Sequence, residues 1–158
     1  MRIKIIEGKP MFFYGIIALF FGWNILLSCP EGWVDDPNDN YECVPEEFEY
    51  HQSPTQGFCL FEQVVINGSP ISNDDWVGAF NGDICVGTQL WNTDECLGNI
   101  CSINIMGYDA SGFTDGYMLD DNFPTFKIYD TSENMYYDAY PSEDIAWESF
   151  GVANIAML

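Results

Sequence analysis

From Gly57 onward the chain is a succession of short apolar runs separated by Gly, Asn and Asp, the rhythm of an all-β domain. Phe58 to Ile66 is apolar on both faces, which predicts a central strand between packed layers. Asn67-Gly68-Ser69-Pro70 is a turn. Trp76 to Phe80 and Ile84 to Leu90 flank Asn81-Gly82-Asp83. Asn-Gly between apolar runs predicts a hairpin with a type I′ turn, since both central residues need positive φ. Ile100 to Met106 alternates, with Cys101, Ile103 and Ile105 on one face against Ser102, Asn104 and Met106. In Phe123 to Tyr129, Pro124, Phe126 and Ile128 oppose Thr125, Lys127 and Tyr129. Met135 to Ala139 and Val152 to Leu158 complete the set, and the apolar end of the latter predicts a docked strand. About seven short strands with regular turn signals predict an antiparallel β-sandwich over residues 57–158. No segment carries a helical period. The Gly- and Asp-rich stretch from Tyr108 to Asn122 reads as a loop capping one end.

Upstream the pattern differs. Residues 29–56 are rich in Pro, Asp, Asn and Glu with no strand or helix period, which predicts an irregular leader rather than a second domain. Before them, Arg2, Lys4 and Lys9 precede an uncharged apolar run, Met11 to Leu27, and then Ser28. A basic start, an apolar run and a small boundary residue predict a signal peptide over residues 1–28, and hence a secreted or cell-surface protein. A retained anchor is the alternative, at the short end of what spans a bilayer. Leu26-Leu27-Ser28-Cys29 also resembles a lipobox, which would make Cys29 a lipidated first residue.

Charge narrows the function classes. All but one of the 25 acidic residues, and only one of the four basic residues, Lys127, lie beyond residue 28. That body lacks the basic footprint of a nucleic-acid binder or of a polybasic membrane-surface protein. With 47% hydrophobic and 16% aromatic residues it is too apolar to be disordered.

All six cysteines follow the apolar segment. An even count in an exported chain predicts disulfides, with fifteen connectivities open. Proximity pairs Cys29 with Cys43 across the leader, and Cys96 with Cys101 at one end of a strand. Cys59 and Cys85, both in apolar stretches, are left to bridge or to be buried as thiols. A lipidated Cys29 would leave one thiol unpaired. With no CxxC and a single histidine, His51, a zinc site is not expected.

Asp75 to Gly87 (DWVGAFNGDICVG) and Gly116 to Asp130 (GYMLDDNFPTFKIYD) resemble exported β-sandwich surface modules of marine and Bacteroidota-like bacteria. Those carry a GAF-[ND]G-x-CVG signature and a later P-T/S-F-K/R-[IV]-[YW]-D strand. Matching positions are Val77 to Gly82, Cys85 to Gly87, and Pro124 with Phe126 to Asp130. Cys29-Pro30-Glu31-Gly32-Trp33 is similar to the leader of some members. Asn73-Asp74-Asp75 departs from the family's Gly-Asp. The resemblance implies a secreted or displayed module without assigned catalysis.

The chemistry available fits that class. A nucleophile–histidine device needs a histidine held by an acid, and His51 sits in the leader. No carboxylate pair stands out for glycoside hydrolysis, so a small hydrolase is the least favoured reading. Calcium suits loops of hard oxygens. The candidates are Asp35, Asp36, Asn38, Asp39, Asn40 and Glu42; Asp109, Asp115, Asp120 and Asp121; and Asn73 with Asp74 and Asp75. The first set has oxygen donors at EF-hand spacing from Asp36 to Glu47, but Tyr41 replaces the glycine and Pro45 intrudes. Each set also reads as an Asx-rich turn. Trp76, Trp91, Trp147, Tyr136, Tyr137 and Tyr140 offer a stacking platform for carbohydrate, with Trp91, Tyr136 and Tyr137 foremost, or else core and rim. The expectation is a non-catalytic structural or adhesion module that contacts copies of itself or a surface, with a carbohydrate-binding module as the alternative.

Overall fold

A computed structural model describes residues 28–96 and 100–158. The predicted signal peptide lies almost wholly outside the described residues. Eleven strands form: β1 Trp33–Asp35, β2 Cys43–Pro45, β3 Gln56–Gln63, β4 Val65–Ile66, β5 Ser69–Pro70, β6 Trp76–Asn81, β7 Ile84–Leu90, β8 Cys101–Met106, β9 Thr125–Asp130, β10 Met135–Ala139 and β11 Val152–Met157. The one helical element among the described residues is a 3-10 turn, Glu46–Phe48. The expected all-β class holds.

Seven strands make the sandwich. One sheet has the order β10-β9-β6-β7 and the other β11-β3-β8. Alternation assigns the faces. Val77, Ala79, Phe126 and Ile128 are buried toward the second sheet, where Phe61 of β3 meets Phe126 with ring centroids 5.3 Å apart. From the other side Cys59, Phe61, Cys101, Ile103, Ile105 and Ile155 complete the core. One pairing departs from the antiparallel expectation: β11 runs parallel to β3, with Ile155 opposite Phe61. The long excursion from β10 lets the chain return in that direction, and β11 docks as its apolar pattern predicts.

The sandwich is closed along one side and open along the other. On the closed side β7 lies against β8, and a Cβ at Gly87 would fall 2.0 Å from the Asn104 carbonyl oxygen. Only glycine permits that approach. On the open side β10 and β11 are the outermost strands of their sheets.

The leader is more ordered than its composition suggests. β1 and β2 form a small antiparallel hairpin, and together with the 3-10 turn they cover the outer face of the four-stranded sheet. Trp33 meets Trp76 and Tyr129 edge-on, Tyr41 meets Trp76, and Phe48 meets Phe80 and Tyr136. Phe48 is fully buried because Gly78 leaves room for its ring; a Cβ there would lie 2.7 Å away. The four-stranded sheet is thus apolar on both faces, and the molecule has three layers.

The turns qualify one expectation. The β6–β7 loop is Gly82-Asp83, with Asn81 already paired to Ile84, and of these only Gly82 has positive φ. That is the pattern of a type II′ turn, not the I′ turn read from Asn81-Gly82. The I′ pattern occurs instead at Asn67 and Gly68, φ 52° and 80°, between β4 and β5. Beyond the hairpin, a bulge gives β7 an extra residue, Val86, between the Phe80–Cys85 and Ala79–Gly87 pairs.

Candidate functional site

Both predicted disulfides form: Cys29 with Cys43, and Cys96 with Cys101. Cys59 and Cys85 are buried thiols on different sheets. Burial pushes the Cys59 thiol up to about 11 and the Cys85 thiol up to about 12, the latter against a lowering influence from the Gly87 backbone and Lys127. The Cys29 sulfur in the disulfide is the same atom that a lipid thioether would need, so the two states exclude one another.

The acidic candidates are used locally. Asp36 is buried, and its two carboxylate oxygens accept from the backbone N–H groups of Asn38, Asn40 and Tyr41 at 2.9, 2.9 and 3.1 Å. Asn38 bridges the Tyr50 carbonyl and the Gln52 N–H, both at 2.8 Å. Asp35 lies near the Cys29 sulfur, while the Asn40 and Glu42 side chains are exposed. In the long loop Asp109 accepts from the Thr114 hydroxyl at 2.6 Å and the Ser111 N–H at 2.9 Å, and these bonds hold its carboxyl below the usual range. Asp120 accepts from the Ser149 N–H, Asp121 sits at φ 68°, and Asp115 is exposed. Buried Asp75 receives the Ser72 and Thr131 N–H groups at 2.7 and 2.9 Å. Among the described residues, one set of three His, Cys, Asp or Glu donors gathers within 4.8 Å: Cys29, Asp35 and Cys43. Two of those are the disulfide sulfurs. Local Asx turns therefore account for the carboxylates of Asp36 and Asp109, whereas Asp75 ties the Ser72 turn to Thr131, just beyond β9.

The aromatic platform does not assemble. Trp76, Trp91 and Trp147 are all buried. Trp91 packs on Phe61, and Trp147 spans Gly57 and Gly107 while its indole N–H donates to the Ile105 carbonyl at 3.1 Å. Tyr136 lies beneath the leader, its hydroxyl accepting from the Glu47 N–H at 3.2 Å. Its β10 neighbour Tyr137 faces the opposite way, lining a groove with Ile128, Ala139 and Met157. Only Tyr140 stands out in solvent, 81% exposed.

Two surfaces remain, which the candidates read from the sequence touch only through Tyr137 and Tyr140 on one and Asn40 on the other, each assigned a different role. The groove holding Tyr137 runs along the open β10–β11 side and is mostly apolar. Exposed Met135, Tyr140, Val152 and Met157 lie on or beside these two strands. On the closed side, the leader and the β7–β8 edge frame a polar cleft with Asn40, Tyr41, Tyr50, Gln52, Gln89 and Asn104 in its wall. A second cleft shares Gln52 with it and adds Asn38, His51, Asp109 and Phe113. The His51 ring lies 5.3 Å from that of Phe113, and its imidazole has no hydrogen bond among the described residues. Lys127 pairs with Glu47 of the leader and lies 5.0 Å over the Phe80 ring.

No protein-family model matches the chain, and neither a curated protein nor a solved structure matches it. No described helix is long and apolar enough to cross a membrane.

Proposed function

We propose that this chain is an exported, non-catalytic module of a cell surface or extracellular structure. It works by contact and associates with copies of itself when cations are present. One observation carries the reading: among the described residues both outer strands of the open side, β10 and β11, lack a strand partner on one edge and have exposed apolar side chains beside them. Unpaired strand edges present backbone donors and acceptors that a further strand can satisfy. Ser142 closes only the far end of β11, where it is hydrogen-bonded to Met157 in both directions.

The charge explains why such an edge need not aggregate. The one cation beyond residue 28 is committed to Glu47, so every approach between copies brings like charges together. Calcium or high salt relieves that repulsion without needing a dedicated loop site. Two disulfides in a small β domain are compatible with an extracellular location. That no acid is hydrogen-bonded to the His51 ring among the described residues, and that Thr114 engages Asp109, favours binding over turnover.

Sedimentation velocity tests the reading on the oxidised protein without its first 28 residues. A single monomer boundary is expected in chelator at low salt, with larger species in millimolar calcium. Tyr140→Asp with Val152→Asp should suppress those species. A monomer under every condition would remove the assembly claim.

A further inference from the structure

We propose that the polar cleft between the leader and the β7–β8 edge binds a neutral saccharide. The inference rests on the contact-module reading, and it concerns the side of the sandwich opposite the strand edges that carry assembly.

The wall chemistry is the argument. In a chain with 25 acidic residues, no carboxylate lines this cleft. The nearest acid in the leader, Asp36, has both oxygens occupied by backbone N–H groups. A bare metal ion finds no anionic ligand there, and an anion is opposed by the net charge of -21. Four carboxamides are present instead, from Asn40, Gln52, Gln89 and Asn104. A carboxamide offers two donors and an acceptor, which is what a sugar hydroxyl, at once donor and acceptor, can pair with. Among the described residues, the side chains of Asn40, Gln52 and Asn104 have no hydrogen-bond partner, so they are free to take a ligand. Gln89 alone is tied, donating to the Leu90 carbonyl at 3.0 Å.

The aromatic wall is fixed in place. Tyr41 packs edge-on against Trp76 with centroids 4.7 Å apart, and Tyr50 is buried. The half-buried Tyr41 ring supplies a small apolar surface for sugar C–H groups at little further loss of side-chain freedom. At about 210 Å³ the cleft takes one sugar unit, the end or a branch of a chain. The adjoining cleft, shared through Gln52 and open to the His51–Phe113 ring pair, would take the next unit.

The test is binding of the oxidised protein to immobilised neutral polysaccharides (dextran, mannan, galactan and xylan) in chelator, where the assembly proposed above is switched off. Retention of at least one is expected, with affinity at least tenfold weaker in Asn104→Ala and in Gln52→Ala at unchanged melting temperature. Tyr140→Asp should bind as the parent does. Failure to bind any neutral glycan, equal binding by the cleft variants, or loss only in Tyr140→Asp would each overturn the proposal. Sedimentation reports on assembly independently, so the two readings fail separately.

Discussion

At the residue scale, the largest single contributions come from side chains that fasten one layer to another. Phe48 is wholly buried between the leader and the sheet, so Phe48→Ala should cost about 3–5 kcal/mol in chemical denaturation. Gly78→Ala attacks the same contact from below, and overpacking of this kind costs about 1–3 kcal/mol. The Lys127–Glu47 pair is the more conspicuous feature, yet both partners are partly exposed, 33% and 48%. Exposed pairs contribute about 0.2–1 kcal/mol, so Lys127→Met should weaken the fold far less than Phe48→Ala. Asp75→Ala orphans two backbone N–H groups, one in the turn before β6 and one in the β9–β10 turn, a loss of about 1–3 kcal/mol. The buried thiols carry a pH consequence. Their folded values, about 11 and about 12, lie above the ordinary 9.0, so between these limits the unfolded chain sheds protons that the native chain keeps. Stability should therefore fall as pH rises above 9. At pH 8 a thiol reagent should find no reactive cysteine in the native protein and two once it is unfolded, as mass spectrometry can count. Labelling of either in the native state would contradict their burial.

At the element scale, the sandwich strands were legible because their side chains alternate or run continuously apolar, as in β6, β8 and β9. Both disulfides were legible because short separations, 14 and 5 residues, leave little freedom of choice. Other features were not. The leader lacks a period because its contacts are made by isolated aromatics, Trp33, Tyr41 and Phe48, each landing on a separate strand neighbourhood. The parallel placement of β11 depends on the path of the chain, which no local pattern records. The candidate clefts were hidden for a related reason. Gln52, Gln89 and Asn104 are scattered and unremarkable in sequence, Asn40 reads there as a calcium ligand, and the tryptophans are needed to fill the core. One element-scale prediction concerns the leader. Its Cys29–Cys43 bridge should stabilise the oxidised protein by about 3 kcal/mol on a loop-entropy basis. Paired Cys29→Ala and Cys43→Ala substitutions should lower the thermal midpoint accordingly, while the same change at Cys96 and Cys101 should lower it less.

At the scale of the whole molecule, three layers share one acidic exterior, and the two sides of the sandwich differ. Tight β7–β8 packing closes the side that carries the polar cleft, and among the described residues no strand pairs with the outer edges of β10 and β11 on the opposite side. Added salt or calcium should raise the thermal midpoint by screening the excess of carboxylates, and a midpoint that stays constant would remove repulsion from the account. The polar cleft and the sealed outer sheet face both depend on the leader being part of the folded body, since it supplies a wall of the one and covers the other. Amide hydrogen exchange on the oxidised monomer tests that claim most directly. The three-layer arrangement predicts that amides of β1 and β2 are protected together with those of β6 and β9, while the outer edges of β10 and β11 exchange faster. A leader that exchanges as freely as an unfolded peptide, with the sandwich still protected, would contradict it.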